Sequence, residues 1–228
     1  MKQILTALSI WAPLLLIGQV TQTFSNPNLV QISDVGHGAL YPSAITVSGM
    51  PVNLHEFNVT FDIVTTTSMA EVDLLLEAPN GQRIILMSDL ALDGLWWFIN
   101  VGIGTLGHDT ISGDNITDNH NFQPANYGAG ADDFPAPGPG LIAQLLYPNP
   151  FSLQDINPNG QWKLYLMDDT NNNSDLRLLN GWSLSITAAS FPVCKRPGVP
   201  QILSIQDHDA NLSWTPGAGN TNWDVYVS

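Results

Sequence analysis

The sequence predicts an all-β protein built as a two-sheet β-sandwich, on three observations. Asp and Asn far outnumber Glu and Lys among the 228 residues, which favours turns because these short side chains hydrogen-bond their own backbone outside helices. No long stretch between residues 30 and 187 has helical periodicity. Short apolar runs are instead separated by Asn-Gly pairs, the strongest local signal for a β-hairpin.

The chain begins with an apolar segment, residues 4–17, that follows a single basic residue, Lys2. A short basic start, an apolar middle and a small residue at the cut are typical of a secretory signal peptide, which we assign to residues 1–18. The alternative is a transmembrane anchor, but a bilayer span needs about 20 apolar residues. Residues 19–29 are interpreted as a linker, and the mature chain is expected to have no membrane span.

The segment 30–190 contains the predicted strands of the sandwich. In chain order the clearest strands are residues 59–63, 72–77, 83–87, 162–166 and 182–187. The Asn80-Gly81 pair predicts a type I′ hairpin turn, which needs positive φ at both central residues. In the last strand Trp182, Leu184 and Ile186 are predicted to face a core, while the residues between them face water.

Between residues 90 and 150 the strand pattern loosens. The run Phe-Pro-Ala-Pro-Gly-Pro-Gly at 134–140 is incompatible with a helix or a central strand. A loop of this length in a compact domain is usually functional or mobile. Its aromatic residues predict that it packs partly against the domain; these are Trp96, Trp97, Phe122 and Tyr127.

The charge and cysteine content exclude several classes of partner and site. The chain has 20 acidic and 6 basic residues, a net charge of −14. This excludes nucleic acid, because phosphate binding needs Lys and Arg, and it argues equally against an anionic membrane surface. The single cysteine, Cys194, excludes a disulfide scaffold and a thiolate zinc site within the chain.

Several segments resemble a known family. The segments Asn159-Gly-Gln-Trp-Lys-Leu and Leu179-Asn-Gly-Trp-Ser-Leu resemble the end of the P domain (P/Homo B domain) found beside subtilisin-like proprotein convertases. Leu76-Glu-Ala-Pro-Asn-Gly is similar to that family's strand–turn–strand signature, and Ala44-Ile-Thr-Val-Ser-Gly to its opening strand. The resemblance spans about residues 30–188 and implies a jelly-roll β-sandwich that is itself non-catalytic.

Residues 200–228 resemble the first strands of a fibronectin type III domain. The resemblance is carried by Pro200-Gln-Ile-Leu-Ser-Ile, Ala210-Asn-Leu-Ser-Trp-Thr-Pro-Gly and Trp223-Asp-Val-Tyr-Val. A complete sandwich of this kind needs about 100 residues. We therefore interpret residues 191–199 as a linker, residues 200–228 as a truncated fibronectin type III-like sandwich, and the chain as part of a longer secreted protein. The alternative is a short appended pair of strands.

No catalytic constellation is predicted in the chain. The segment Thr67-Ser-Met-Ala and the nearby Asp34 and His37 imitate parts of a subtilisin triad. However, Asp34 and His37 are only three residues apart, and a triad is defined by geometry that no α/β scaffold would supply here. The chain is therefore expected not to be an enzyme.

One polar segment between two predicted strands offers ligands for calcium, which prefers carboxylate and carbonyl oxygens. The candidate ligands are Asp168, Asp169, Asn171, Asn173 and Asp175. The alternative interpretation is an ordinary hairpin loop, in which Asp and Asn satisfy backbone donors. The segment is not an EF-hand, because the sixth position from Asp169 is Ser rather than Gly and the twelfth is Asn rather than Glu.

Two further features are weaker candidates for binding. A second acidic group consists of Asp109, Asp114, Asp118, Asp132 and Asp133, and Asp73, inside an apolar strand, could reach either acidic group or face water. Trp96 and Trp97 could line a glycan or peptide groove, and the alternative is that they fill the core beneath the long loop.

Together these features predict a non-catalytic, exported β-sandwich accessory module, secreted or at the cell surface. It would stabilise or present neighbouring domains of the same longer chain. The resemblance implies one alternative, the accessory P domain of a secreted subtilisin-like serine endopeptidase whose catalytic domain lies outside this chain. A second alternative is a carbohydrate- or surface-binding adhesin module, whose partner would be a surface glycan or protein. No cofactor is expected other than calcium.

Overall fold

The protein is described by a computed structural model that covers residues 18–33, 36–38, 40–90, 93–128, 130–143, 148–170, 175–190, 201–206 and 209–213. These residues form eighteen β-strands and one short 3₁₀ helix, η1 (Pro150–Leu153), with no α-helix among them. The strands are β1 (Val20–Asn26), β2 (Val30–Ser33), β3 (Gly36–His37), β4 (Ser43–Val47), β5 (Asn53–Ser68), β6 (Val72–Glu77), β7 (Arg83–Ser88), β8 (Asp93–Gly104), β9 (Asp109–Thr110), β10 (His120–Gln123), β11 (Ala125–Asn126), β12 (Asp132–Phe134), β13 (Gly140–Ile142), β14 (Gly160–Asp168), β15 (Asp175–Leu178), β16 (Trp182–Ala189), β17 (Gln201–Gln206) and β18 (Asp209–Ser213).

Two large sheets make up the sandwich, as the sequence predicts. Sheet A has eight strands, with the central order β1-β16-β5-β8-β10-β9 and with β15 joining β5 to β2. Sheet B has six strands in the order β11-β7-β6-β14-β3, with β4 also paired to β14. The all-β prediction is therefore confirmed for the described residues.

The inner faces of the two sheets share one hydrophobic core. Its largest fully buried side chains include Trp162 of β14, Trp182 of β16 and Phe57 of β5. Strand β16 alternates as predicted, with Trp182, Leu184 and Ile186 buried and the residues between them partly exposed. This alternation places one face of each strand in the core.

A second, smaller core covers the outer face of sheet B. The hairpin of β12 and β13 lies there, so that Phe134 packs with Leu75, Ile85 and Tyr165. Strand β6 is consequently buried at every position, which explains its nearly continuous apolar sequence. The Gly- and Pro-rich region that the sequence predicts as a loop thus contains a hairpin that packs on the sheet.

Two local expectations are corrected by the structure. Residues 20–26, interpreted as part of a linker, form β1, which pairs with β16 along its whole length. At the Asn80-Gly81 turn only Gly81 has positive φ, 83°, so the turn is not type I′. The backbone bonds from Gly81 N–H to Ala78 and from Ala78 N–H to Gln82 make it a longer hairpin loop, closed by a glycine in the left-handed region.

The ends of the chain are described only in part. The proposed signal peptide and the linker at 191–199 lie outside the described residues, except for Gly18. In the tail, β17 and β18 form an antiparallel hairpin. The third fibronectin-like segment, residues 223–227, lies outside the described residues. The fibronectin type III assignment stays a prediction.

A row of three charged side chains crosses sheet B. Glu77 of β6 lies opposite Arg83 of β7 and Lys163 of β14, and it accepts hydrogen bonds from Arg83 Nε at 2.7 Å and Lys163 Nζ at 2.8 Å. Burial alone would raise the pKa of Glu77, but these two hydrogen bonds and charges outweigh it and hold the pKa below its usual range.

We expect Glu77→Gln to lower the free energy of unfolding by about 1 kcal/mol at neutral pH, because both cations are part-exposed and screened. Since the folded-state pKa is depressed, the contribution is present above the unfolded pKa and disappears as the pH falls through the folded value. Urea unfolding of both proteins at pH 7 and pH 3 measures this. An equal difference at the two pH values would contradict the expectation.

Candidate functional site

Three carboxylates from separate segments converge on the outer face of sheet B. Asp73 lies near the start of β6, Asp89 directly follows β7, and Asp132 begins β12. Each offers a carboxylate oxygen, and these oxygens all lie within 4.8 Å of one another. We call these three residues the carboxylate cluster.

The sheet pairings explain why these segments meet. Strand β6 pairs with β7, so the end of β7 at Ser88 lies beside Asp73. Strand β11 pairs in parallel with β7, with Asn126 opposite Ser88. The chain then turns back into β12, which brings Asp132 over the same end of the sheet.

Few hydrogen-bond donors reach the carboxylate cluster. Ser88 Oγ lies 3.0 Å from Asp89 Oδ2 and 3.3 Å from Asp132 Oδ1, and it also faces Asp73. A hydroxyl has one proton to donate, so it cannot satisfy all three carboxylates. Asn126 Nδ2 donates to Asp132 Oδ2 at 2.9 Å.

The backbone fits closely around Asp89. Its φ is +52°, a left-handed conformation that is uncommon for a residue with a side chain. The Gly128 backbone donates to its carboxylate, and a Cβ on Gly128 would collide with Asp89 Oδ2. A glycine is therefore required here for the close approach of the backbone to the carboxylate.

Burial and mutual repulsion perturb all three carboxyls. Burial, together with the charges of Asp132, Asp89 and Asp169, raises the pKa of Asp73 to about 8, although a hydrogen bond from Ser88 acts in the opposite direction. Burial is also the main cause that raises the pKa values of Asp89 and Asp132. Such coupled, buried carboxyls are typical of functional sites.

The polar segment predicted to bind calcium is only partly described. Asp169 contributes its charge to the carboxylate cluster, whereas Asp168 is fully buried and its Oδ1 accepts a hydrogen bond from the Thr170 backbone at 3.1 Å. Asn171 and Asn173 lie outside the described residues, as does the side chain of Asp175. Calcium binding by this segment therefore stays a prediction.

The sequence indicated part of the carboxylate cluster and missed the rest. Asp73 stood out as an acid in an apolar strand, and Asp132 belonged to the weaker acidic group. Asp89 was missed, although an aspartate directly after a buried strand is a signal that could have identified it. Two other members of that acidic group lie elsewhere: Asp109 lies beside His120 at 3.5 Å, and Asp118 accepts a hydrogen bond from the Ile99 backbone at 2.8 Å. Asp133 lies next to Asp132 on β12.

The two candidate tryptophans on β8 are exposed rather than core. Phe98 fills the core, while Trp96 and Trp97 are 41% and 61% exposed. Trp96 lies on the same side of the strand as Phe98 and stacks on it, with ring centroids 6.0 Å apart and an interplanar angle of 4°. Of the other two aromatics in this region, Phe122 is buried and Tyr127 is 38% exposed.

Three apolar residues project from the opposite, outer face of sheet A. Leu95, Trp97 and Ile99 are 84%, 61% and 43% exposed, and we call them the outer strip. Their neighbours on β5 are Thr65 beside Trp97 and Ile63 beside Ile99. The corresponding outward positions of β16 are Ser and Thr, so the apolar surface does not extend onto β16.

The segments that imitate a protease triad belong to different sheets. Ser68 ends β5 in sheet A, whereas His37 belongs to β3 in sheet B, where its ring stacks on Tyr41 at 4.3 Å. Asp34 is outside the described residues. No helix in the described part of the chain is long and apolar enough to cross a bilayer.

Comparison with known proteins gives structural likeness alone. No protein-family model matches the chain, and no curated protein matches it. Among solved structures, the chain is similar to a serine protease of Aeromonas sobria, with 11% identity and a TM-score of 0.37 over 76% of this chain and 28% of that one. It is also similar to the structure of that protease in complex with the chaperone ORF2, with 12% identity and a TM-score of 0.35 over 75% of this chain and 27% of the other. The chain thus spans little more than a quarter of the length of the proteins it matches.

Proposed function

We propose that this chain is a non-catalytic, exported β-sandwich module of a larger extracellular or cell-surface protein, and that it holds a neighbouring domain of the same polypeptide. The observation that supports this proposal is the outer strip, Leu95, Trp97 and Ile99, on the solvent face of β8. A contiguous row of large apolar side chains on a sheet face that water would otherwise cover marks an interaction surface.

The strip can supply useful docking energy. Covering a large apolar side chain is worth about 1.5–3 kcal/mol when it is fully exposed beforehand. The backbone adds a second element, because β8 pairs with β10 only at residues 101–103. Around Leu95 and Trp97, β8 has β5 as its strand neighbour on one side only, among the described strands, whereas the Ile99 backbone already bonds to Asp118 and Asn119. A domain placed against this edge can therefore contact both apolar side chains and backbone.

The chemistry of the strip favours a protein surface over a sugar. Carbohydrate sites combine aromatic rings with polar side chains that bind the hydroxyl groups, whereas the strip is apolar along its length. One face of Trp96, the second tryptophan, is already occupied by Phe98. The strip therefore fits an apolar patch on a folded domain better than a glycan.

We expect the strip to be covered in the natural full-length polypeptide. Hydroxyl-radical footprinting is expected to show Trp97 oxidised at least several-fold more slowly there than in this chain alone. Phe151, an exposed aromatic residue on η1, is the internal control and should react equally in both. Trp97→Ala should restore reactivity to Leu95 and Ile99 in the full polypeptide, and Phe151→Ala should not.

Three outcomes would contradict the proposal. One is a gene that encodes no further domain, and a second is equal reactivity of Trp97 in both forms. The third is glycan retention that is lost in Trp96→Ala or Trp97→Ala, which would favour the adhesin alternative instead.

The identity of the neighbouring domain distinguishes a protease accessory role from a structural role at the cell surface. The segments around Trp162 and Trp182 resemble the P domain, which favours an accessory role beside a subtilisin-like serine endopeptidase. A continuation of the gene with an Asp/His/Ser catalytic domain would establish that role. Further sandwich repeats would instead favour a structural surface array.

A further inference from the structure

The carboxylate cluster contains a buried oxygen without a partner. Asp73 is 2% exposed, and its Oδ1 has no hydrogen-bond partner. Leaving a buried carboxylate oxygen unpaired is costly, because the desolvation penalty is not repaid. This atom belongs to the residue whose carboxylate forms the cluster with those of Asp89 and Asp132.

The missing partner carries positive charge. The charges that act on Asp73 come from Asp132, Asp89 and Asp169, all of one sign. Among the described basic side chains, Arg83 and Lys163 bind Glu77, and Arg177 lies on β15 in sheet A. No cationic side chain is among the described groups whose charges act on Asp73, Asp89 and Asp132.

We propose that Asp73, Asp89 and Asp132 bind one Ca²⁺ ion, which joins β12 and the segment after β7 to the outer face of sheet B. Calcium binds oxygen ligands at about 2.3–2.6 Å, so ligands on opposite sides of one ion are up to about 5 Å apart. The separation within 4.8 Å fits this span. Zinc sites favour His and Cys ligands, and the cluster contains neither.

The site is distinct from the one predicted from the sequence. Its three ligands come from segments far apart in the chain, whereas the predicted ligands lie in one loop. Asp169 links the two sites: it is a ligand of the predicted loop site, and its charge also acts on the carboxylate cluster. Calcium at the cluster would therefore also stabilise the end of β14, which Asp168 closes.

The test is a calcium titration of the purified chain after chelation. With the dissociation constants of about 0.1–1 mM that extracellular calcium modules show, about 10 mM CaCl₂ should raise Tm by about 3–10 °C. Isothermal titration calorimetry should give one site. Asp132→Asn and Asp73→Asn should each remove both responses, because each deletes a charged ligand.

Two controls keep the test decisive. Asp114→Asn removes an exposed acid outside the cluster and should leave the calcium response unchanged. Asp73→Asn should melt at or above the chelated wild type, because Asn matches Asp in size and removes one of three mutually repelling carboxyls, so loss of the response cannot be ascribed to misfolding. The proposal is wrong if Tm does not rise, if magnesium raises it equally, or if the response survives in both cluster variants.

Discussion

Replacement of Trp162 by Ala is expected to lower the free energy of unfolding by about 3–5 kcal/mol, the range for large aromatic residues in a core. Trp162 is fully buried on β14 and packs near Phe57 of the opposite sheet, with ring centroids 6.3 Å apart. Its Nε1 donates to the Pro158 carbonyl at 2.8 Å. The substitution therefore opens a cavity between the sheets and leaves that carbonyl without its donor.

Urea unfolding at pH 7 measures this effect. Trp162→Phe should lower stability less than Trp162→Ala, because it retains part of the ring volume, although it also loses the hydrogen bond. Trp97→Ala is the matched control, since Trp97 is exposed and should change stability by less than about 0.5 kcal/mol in this chain. A cost below about 1 kcal/mol for Trp162→Ala would show that the core is not packed between the sheets at this position.

Chelated protein is expected to lose stability as the pH rises from about 4 to 8, because of Asp73. An unfolded aspartate ionises near 3.8, whereas the folded protein raises the pKa of Asp73 to about 8. Between these values the folded state binds the proton and the unfolded state does not, so the free energy of unfolding falls with rising pH. Each unit of difference is worth about 1.4 kcal/mol, so the full effect is several kcal/mol.

Asp73→Asn isolates this contribution. In chelator, the variant should match the wild type near pH 4 and exceed it at pH 8, and its stability should decline less over that window. A residual decline is expected, because Asp89 and Asp132 also have raised pKa values. Asp114→Asn should follow the wild type. Parallel pH profiles for wild type and Asp73→Asn would contradict the burial of an ionisable Asp73.

The local pattern of the chain predicted much of the strand structure. Strand β6 coincides with the predicted residues 72–77, and β16 begins at Trp182 as expected. These strands could be identified because their apolar residues and turn signals lie within a few positions of one another. The error at residues 20–26 has the opposite cause: β1 has mostly polar, exposed side chains, and its pairing with β16 supplies the order that its own sequence does not show.

The candidate binding residues were likewise predicted only in part from the sequence. Trp97 could be selected from the sequence as a candidate binding residue, but its exposure depends on which face of β8 turns outward. The core could equally have taken Trp97 and exposed Phe98. Register and strand order settle this choice, and a shift of one residue would exchange the two faces.

The sequence by itself determined the all-β class, the strong acidity and the positions of several strands, because these depend on composition and on neighbours along the chain. Only the tertiary structure brought Asp73, Asp89 and Asp132 within 4.8 Å of one another, because their meeting depends on the pairing of β6, β7 and β11 and on the return of β12 over sheet B. Burial and repulsion then give these carboxyls properties that no short segment of the sequence contains.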